Sequence, residues 1–329
     1  MFRPISTLPL PASAQLLLRE SGFLFCEDVI SHRGVAPEAR SILQRWNLHS
    51  GECWNTLTSP PQTLNSLDLW QEECTSRSIV TWSKDVDSIL DGGIPFQVIT
   101  ELCGAPGSGK TQMSLQLCVD VQIPESLGGA EGQAVFIDTA CNFSSQRIRA
   151  IADACCKHCH LLSRKNQIRD FVNFNADSIL NNIHLISIHG IVQLLAAVKV
   201  LPQLIEQHPQ IKLVVIDSLA FPFTCGETCN TLDRTSYIYR ILSDLQKLAV
   251  HNRLAIVITN QLTTRIIKST PNMSELSPAL GESLGHRVTQ RLLLGRIAGN
   301  LKAAIVLKGN NQCMSSAKFQ ITEAGIRDL

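Results

Sequence analysis

The chain has 329 residues, with 29 basic and 28 acidic side chains and a formal net charge of +1. Only 17% of residues are charged and 44% are hydrophobic, which excludes an intrinsically disordered chain and leaves ample material for a core. The near-zero charge also excludes nucleic-acid binding by bulk polycationic attraction, so any such contact must come from a local patch.

The opening MFRPISTLPLPASAQLLLRE carries Arg3 and Arg19 and no acid before Glu20. A mitochondrial transit peptide has that composition, and the simpler reading is a short tail entering a first helix. Short helices are predicted at 13–21, 26–30, 37–46 and 52–57, the third opened by Pro37. Residues 1–57 therefore read as a small helical domain. Residues 58–77, with Pro60-Pro61 and many polar side chains, read as a linker. Its Leu67, Leu69 and Trp70 suit docking on a neighbouring subunit or packing on its own domain.

From residue 78 the pattern alternates apolar runs with amphipathic stretches. Strands are predicted at 97–103, 133–138, 183–188, 212–217, 254–260, 288–294, 302–307 and 318–322. Helices are predicted at 110–121, 145–161, 191–207 and 235–251. Continuous apolar runs such as LVVID and LAIVIT suit a sheet covered on both faces. Residues 78–329 are thus expected to form an α/β domain around a mostly parallel twisted sheet. No stretch of eighteen apolar residues occurs, so no membrane-spanning helix and no membrane partner is expected. The 12 cysteines are scattered through apolar segments, where thiols act as small buried hydrophobes.

Gly104-Ala105-Pro106-Gly107-Ser108-Gly109-Lys110-Thr111 matches the phosphate-loop pattern G-x-x-x-x-G-K-[ST], with a strand before it and a helix after it. Glycines let successive backbone N–H groups turn toward a phosphate, and the helix N-terminus adds partial positive charge. Lys110 would bridge the β- and γ-oxygens, Thr111 would ligate magnesium, and Gln112 follows directly. A second apolar strand ends in Asp217, where a carboxylate orients the metal or its water. LAIVIT is followed by Asn260 and Gln261, an amide pair placed to report a γ-phosphate. A nucleoside triphosphate with Mg²⁺ is the expected ligand.

The runs DGGIPFQVITELCGAPGSGKTQ, AVFIDT, VVIDSLAFPF, ITNQLTT and PALGESLGHR together resemble the RecA-type recombinases of eukaryotes, above all their C-type paralogue branch. The resemblance spans about residues 78–328 strongly and the N-terminal region weakly. It implies a RecA-like core with a small helical domain, nuclear work in homologous recombination and meiosis, and hetero-oligomers with other recombinase paralogues on single-stranded DNA and DNA junctions. A cytoplasmic pool is compatible with it. Carried over by position, Arg147 lies against the nucleotide base, and Gln261 senses γ-phosphate. Residues 221–234 and 263–280 match the DNA-facing loops, with Arg234, Arg265 and Lys268 as the cations.

One position departs from the family. After AVFIDT the resemblance leads one to expect a glutamate that polarises the attacking water, and the chain has Ala140 followed by Cys141. Losing a positioned base typically costs ~10²–10⁴-fold in rate. Glu101 is the nearest substitute by sequence, with a structural place expected for it; a partner's side chain is another. The cluster Cys155, Cys156, His158, Cys159 and His160 places two i, i+4 pairs on a helix, yet no second ligand pair follows at zinc-finger spacing. The leading expectation is an ATP-binding subunit of a paralogue complex, with ATP as a conformational clamp and weak hydrolysis. An autonomous strand-exchange ATPase and a nucleotide-stabilised scaffold are the alternatives.

Overall fold

A computed structural model describes residues 4–8, 10–31, 34–46, 65–75, 77–167, 174–224, 231–266, 274–309 and 315–329. The chain divides into two compact units, Met1–Cys74 and Thr75–Leu329. In the first, helices Ala12–Glu20, Cys26–Val29 and Pro37–Leu43 enclose a small core of Ile5, Leu18, Val29 and Leu43. Pro37 stands at the helix start, as its sequence position implies. The predicted helix at 52–57 lies outside the described residues. A further helix, Ser66–Thr75, occupies part of the stretch read as linker, and it carries Leu67, Leu69 and Trp70 exposed. Its start is marked by Asn65, whose side chain accepts from the Asp68 backbone N–H at 2.8 Å, a cap hidden among polar residues.

In the second unit, a nine-stranded sheet is built, among the described residues, from β1 (Ile99–Gly104), β2 (Gln133–Asp138), β3 (Ile183–Ser187), β4 (Ile211–Asp217), β5 (Ala255–Asn260), β6 (Gln290–Ala298), β7 (Leu301–Lys308), β8 (Ser316–Thr322) and β9 (Gly325–Arg327). The order is β9-β8-β7-β6-β1-β5-β4-β2-β3. Strands β6, β1, β5, β4, β2 and β3 run parallel. Strands β7, β8 and β9 extend the sheet antiparallel. This edge departs from a purely alternating α/β pattern because Gly299 and Asn300 alone join β6 to β7. Two residues can close only a hairpin, and Gly299 adopts the left-handed conformation such turns need (φ 51°).

The main helices are α1 (Lys110–Asp120), α2 (Ser145–Asn166), α3 (Ala176–Asn181), α4 (Ile191–Gln207), α5 (Thr231–Asn252) and α6 (Glu282–Arg287). Alternation along each buried strand feeds two cores. Leu102, Phe136, Val215 and Val257 pack with Met113 of α1 and Ile151 of α2 on one face. Ile99, Ile137, Val214 and Ile256 pack with Leu201 of α4 and Leu245 of α5 on the other. A strand covered on both sides has no polar face to show, which is why LVVID reads as one apolar run. Within the second predicted DNA-facing loop, Leu262–Ile266 pairs antiparallel with Ser274–Pro278 as a hairpin, and residues 267–273 lie outside the described residues. No described helix is long and apolar enough to cross a membrane.

Candidate nucleotide site

The parallel strands all deliver their C-terminal ends to one edge of the sheet, so Gly104, Asp138, Asp217 and Asn260 emerge side by side. Gly104 lies so close to β6 that a Cβ there would sit 2.3 Å from the Leu294 carbonyl oxygen and 2.6 Å from Ser108 Oγ. Gly109, at φ 104°, turns the chain into α1 through a conformation that side-chain-bearing residues avoid. The loop's backbone N–H groups therefore lead into a helix N-terminus, the geometry that receives a phosphate.

Lys110 reaches back over this loop, its Nζ donating to the carbonyls of Gly104 (2.7 Å) and Ala105 (3.0 Å). Burial lowers its ammonium pKa, and the Asp217 charge opposes that shift. Thr111 Oγ1 donates to Asp217 Oδ2 at 2.7 Å, while the Thr259 hydroxyl of β5 donates to Oδ1. Burial pushes the Asp217 carboxyl upward, the two hydroxyls pull it back, and neighbouring Asp138 adds to the rise. Hydroxyl and carboxylate oxygens at contact distance are hard donors of the kind magnesium takes, so Thr111 and Asp217 fit the expected ion.

Asp138 ends β2 beside Asp217, but its oxygens are committed. Ala140 N–H and Asn142 N–H donate to Oδ1 at 3.1 Å each, and Phe143 N–H donates to Oδ2 at 2.9 Å. The loop is wound around this carboxylate, and Ala140 presents a methyl group at the position where the resemblance calls for a glutamate. Glu101 is equally committed. It is fully buried on β1, receives Asn260 Nδ2 at 2.7 Å, and pairs with Arg291 Nε at 2.6 Å. Arg291 stands opposite Glu101 in the β1–β6 register. A carboxylate in the middle of an apolar strand requires a cation, which was the sequence signal for this pair.

Arg147, at the start of α2, donates to Gln112 Oε1 at 2.6 Å and to the carbonyls of Glu323 (2.6 Å) and Thr322 (2.7 Å). It thus joins the phosphate-loop helix to the turn between β8 and β9. Ile321 of β8, just before that turn, comes within 2.8 Å of where a Gly109 Cβ would be. Gln261 follows β5 as an exposed side chain, and its N–H donates to Asn260 Oδ1 at 2.8 Å.

The predicted DNA-facing cations fare differently. Arg234 lies half-buried in the first turn of α5 and lines a cavity of about 450 Å³ with Thr263, Thr264, Ser277 and Arg291. Arg291 Nη2 is buried there without a partner among the described residues. Arg265 belongs to the hairpin opposite Glu275, and Lys268 lies outside the described residues. The Cys155–His160 cluster is dispersed by packing: Cys155, Cys156 and Cys159 face the core, and His158 lies against Trp82. No group of three or more metal-ligating side chains is present among the described residues.

The Rad51 family model matches residues 75–329, the whole of the second unit. The chain belongs to the Rad51 family. Its relatives include the DNA repair protein RAD51 homolog 3 of Cricetulus griseus, 36% identical over all of this chain and 93% of the relative. The protein of the same name from Dictyostelium discoideum is 34% identical over 81% of this chain and 70% of its own length. The DNA repair and recombination protein RadA of Aeropyrum pernix is 34% identical over 97% and 94%. Membership of the Rad51 family implies ATP binding and a role in repair by recombination. The mixed sheet with its phosphate loop at the strand ends is the fold that membership calls for.

Proposed function

We propose that this chain is an ATP-binding subunit of a recombinase-paralogue complex in homologous recombination repair, in which bound ATP acts as a clamp rather than a fuel. In this reading the loop Gly104–Thr111 holds the triphosphate, Lys110 lies between its β- and γ-oxygens, and Thr111 with Asp217 holds Mg²⁺. The ion would neutralise charge on the phosphates. Arg147 borders the base and Gln261 the γ-phosphate. One observation carries the proposal: Lys110 lies over its loop and Thr111 meets Asp217 at the strand ends, while position 140 offers only a methyl group and Glu101 is locked by Arg291 and Asn260.

Arg234 and Arg291, flanked by three hydroxyls, support a contact with the phosphodiester backbone of single-stranded DNA or a junction. With the Arg291 charge already paired to Glu101, Arg234 gives a modest, salt-sensitive contribution, which suits a subunit acting within a hetero-oligomer of paralogues. The nucleus is the expected place of work. Binding of radiolabelled ATP with Mg²⁺ by the wild type and Lys110→Ala, alone and with co-expressed paralogues, tests the reading. Loss of both nucleotide and assembly in the variant supports the clamp. Full assembly and repair by a nucleotide-free variant would make the chain a scaffold.

A further inference from the structure

The residues of β5 alternate between the two cores, and one of them breaks the apolar pattern. Ala255 and Val257 pack on the α1 side of the sheet with Leu213 and Val215 of β4. Thr259 continues that series at the strand end, fully buried, with a hydroxyl where the two before it carry only carbon. A buried hydroxyl costs free energy unless it is hydrogen-bonded, so Thr259 needs a partner. The β4–β5 register sets Ile216 beside Ile258, and so brings Asp217 next to Thr259.

That neighbour is the partner. The Thr259 hydroxyl donates to Asp217 Oδ1, and the Thr111 hydroxyl of α1 donates to Oδ2 at 2.7 Å. Each carboxylate oxygen thus has its own hydroxyl, one from the adjacent strand and one from the phosphate-loop helix. The main chain is tied on both sides as well. Thr139 N–H donates to the Asp217 carbonyl at 3.0 Å, and Leu219 N–H donates to the Thr259 carbonyl at 3.0 Å. With the backbone held, the side-chain torsions of Asp217 are the freedom left, and the Thr259 hydroxyl restricts them. Thr111 is itself an expected ligand of the ion, so a separate group has to hold the carboxylate that meets it.

We infer that Thr259 is a positioning residue of the nucleotide site: its hydroxyl holds Asp217 Oδ1 so that Oδ2 stays on the Thr111 side, where Mg²⁺ is expected. The inference rests on the reading of Thr111 and Asp217 as the groups that hold the ion. Hydrogen bonds to a metal-binding side chain orient it, and losing one typically weakens metal binding by ~10–100-fold.

The test is calorimetric titration of the full-length protein with the non-hydrolysable β,γ-imido analogue of ATP, once in excess Mg²⁺ and once in EDTA. The quantity read is the gain in affinity that Mg²⁺ brings. Thr259→Val should bind the metal-free analogue within about twofold of the wild type and lose ~10-fold or more of the Mg²⁺ gain. Thr259→Ser, which restores the hydroxyl, should recover it. A hydroxyl that only satisfied a buried carboxylate would lower the melting temperature in Thr259→Val and leave the gain intact, and that result overturns the inference. Thr259→Ala, smaller and also without the hydroxyl, takes the place of Thr259→Val under the same criterion if the latter does not fold. A wild type with no Mg²⁺ gain would instead remove the reading of Thr111 and Asp217 as the ion's ligands, and the inference with it.

Discussion

Asn260 ties Glu101 in place: its Nδ2 donates to Glu101 Oε1 at 2.7 Å across the two central parallel strands, while Arg291 Nε holds the other oxygen at 2.6 Å. Both oxygens of the carboxylate nearest the phosphate loop in sequence are thus used to bind the sheet together. Asn260 also donates to the Ala279 carbonyl at 2.8 Å, so the same amide anchors the segment that follows the hairpin.

Glu101→Gln keeps an acceptor for Asn260 but leaves the Arg291 charge uncompensated in a buried site. Breaking a buried pair on one side costs about 3–5 kcal/mol. The variant should unfold at markedly lower denaturant concentration, while phosphate release per bound ATP stays at the wild-type level. A fall in that normalised rate would show that Glu101 acts in the chemistry.

Arg147 makes three hydrogen bonds to two separate elements, and alanine removes all of them. The turn after β8 then loses its tie to Gln112. ATP affinity of Arg147→Ala should drop by about tenfold, equivalent to ~1.4 kcal/mol. Calorimetric titration with ATP and Mg²⁺ measures this, and Arg147→Lys, which cannot reproduce the fork, should recover little.

Gly104 has no room for a side chain. Gly104→Ala forces the loop away from Leu294 and Ser108, a strain worth about 1–3 kcal/mol. Thermal melting should show the loss of stability, and nucleotide binding should weaken together with it because the displaced backbone is the proposed phosphate cradle.

A pH test is available at Asp87. Burial raises its carboxyl from an ordinary 3.8 to about 6, opposed by the Thr81 hydroxyl and N–H and reinforced by Asp328. The folded state therefore binds more protons than the unfolded state between those values, and this group's contribution to stability falls as pH rises through 6. Asp87→Asn has no such slope. The variant should match the wild type near pH 4 and exceed it at pH 7, by roughly 3 kcal/mol at most. Urea midpoints at the two pH values decide it; a constant difference would rule the account out.

Legibility followed the physics of each element. The strands β1, β2, β4 and β5 were readable because burial on both faces demands unbroken apolar runs. The phosphate loop was readable because its glycines and lysine are needed at fixed spacing. The Glu101–Arg291 pair was half-visible: the buried acid showed in VITELC, but its partner is 190 residues away and the β1–β6 register was needed to join them. Arg147 was placed beside the base from resemblance alone, and its hold on Thr322 and Glu323 has no local signature, since it rests on backbone carbonyls. Helix Ser66–Thr75 was missed because the polar residues around it hide its start. Strand β9 is three residues long and carries no periodic pattern at all.

The central claim is that ATP is held and scarcely consumed because Ala140 replaces a base. Phosphate release in saturating ATP, with and without single-stranded DNA, should be measured on the purified chain while bound ATP is quantified in the same sample. Near-stoichiometric bound ATP with negligible release, and release rising by ~10²-fold or more in Ala140→Glu, is the predicted result. Brisk DNA-dependent release by the wild type, unchanged in Ala140→Glu, would contradict it and make the chain an autonomous DNA-dependent ATPase.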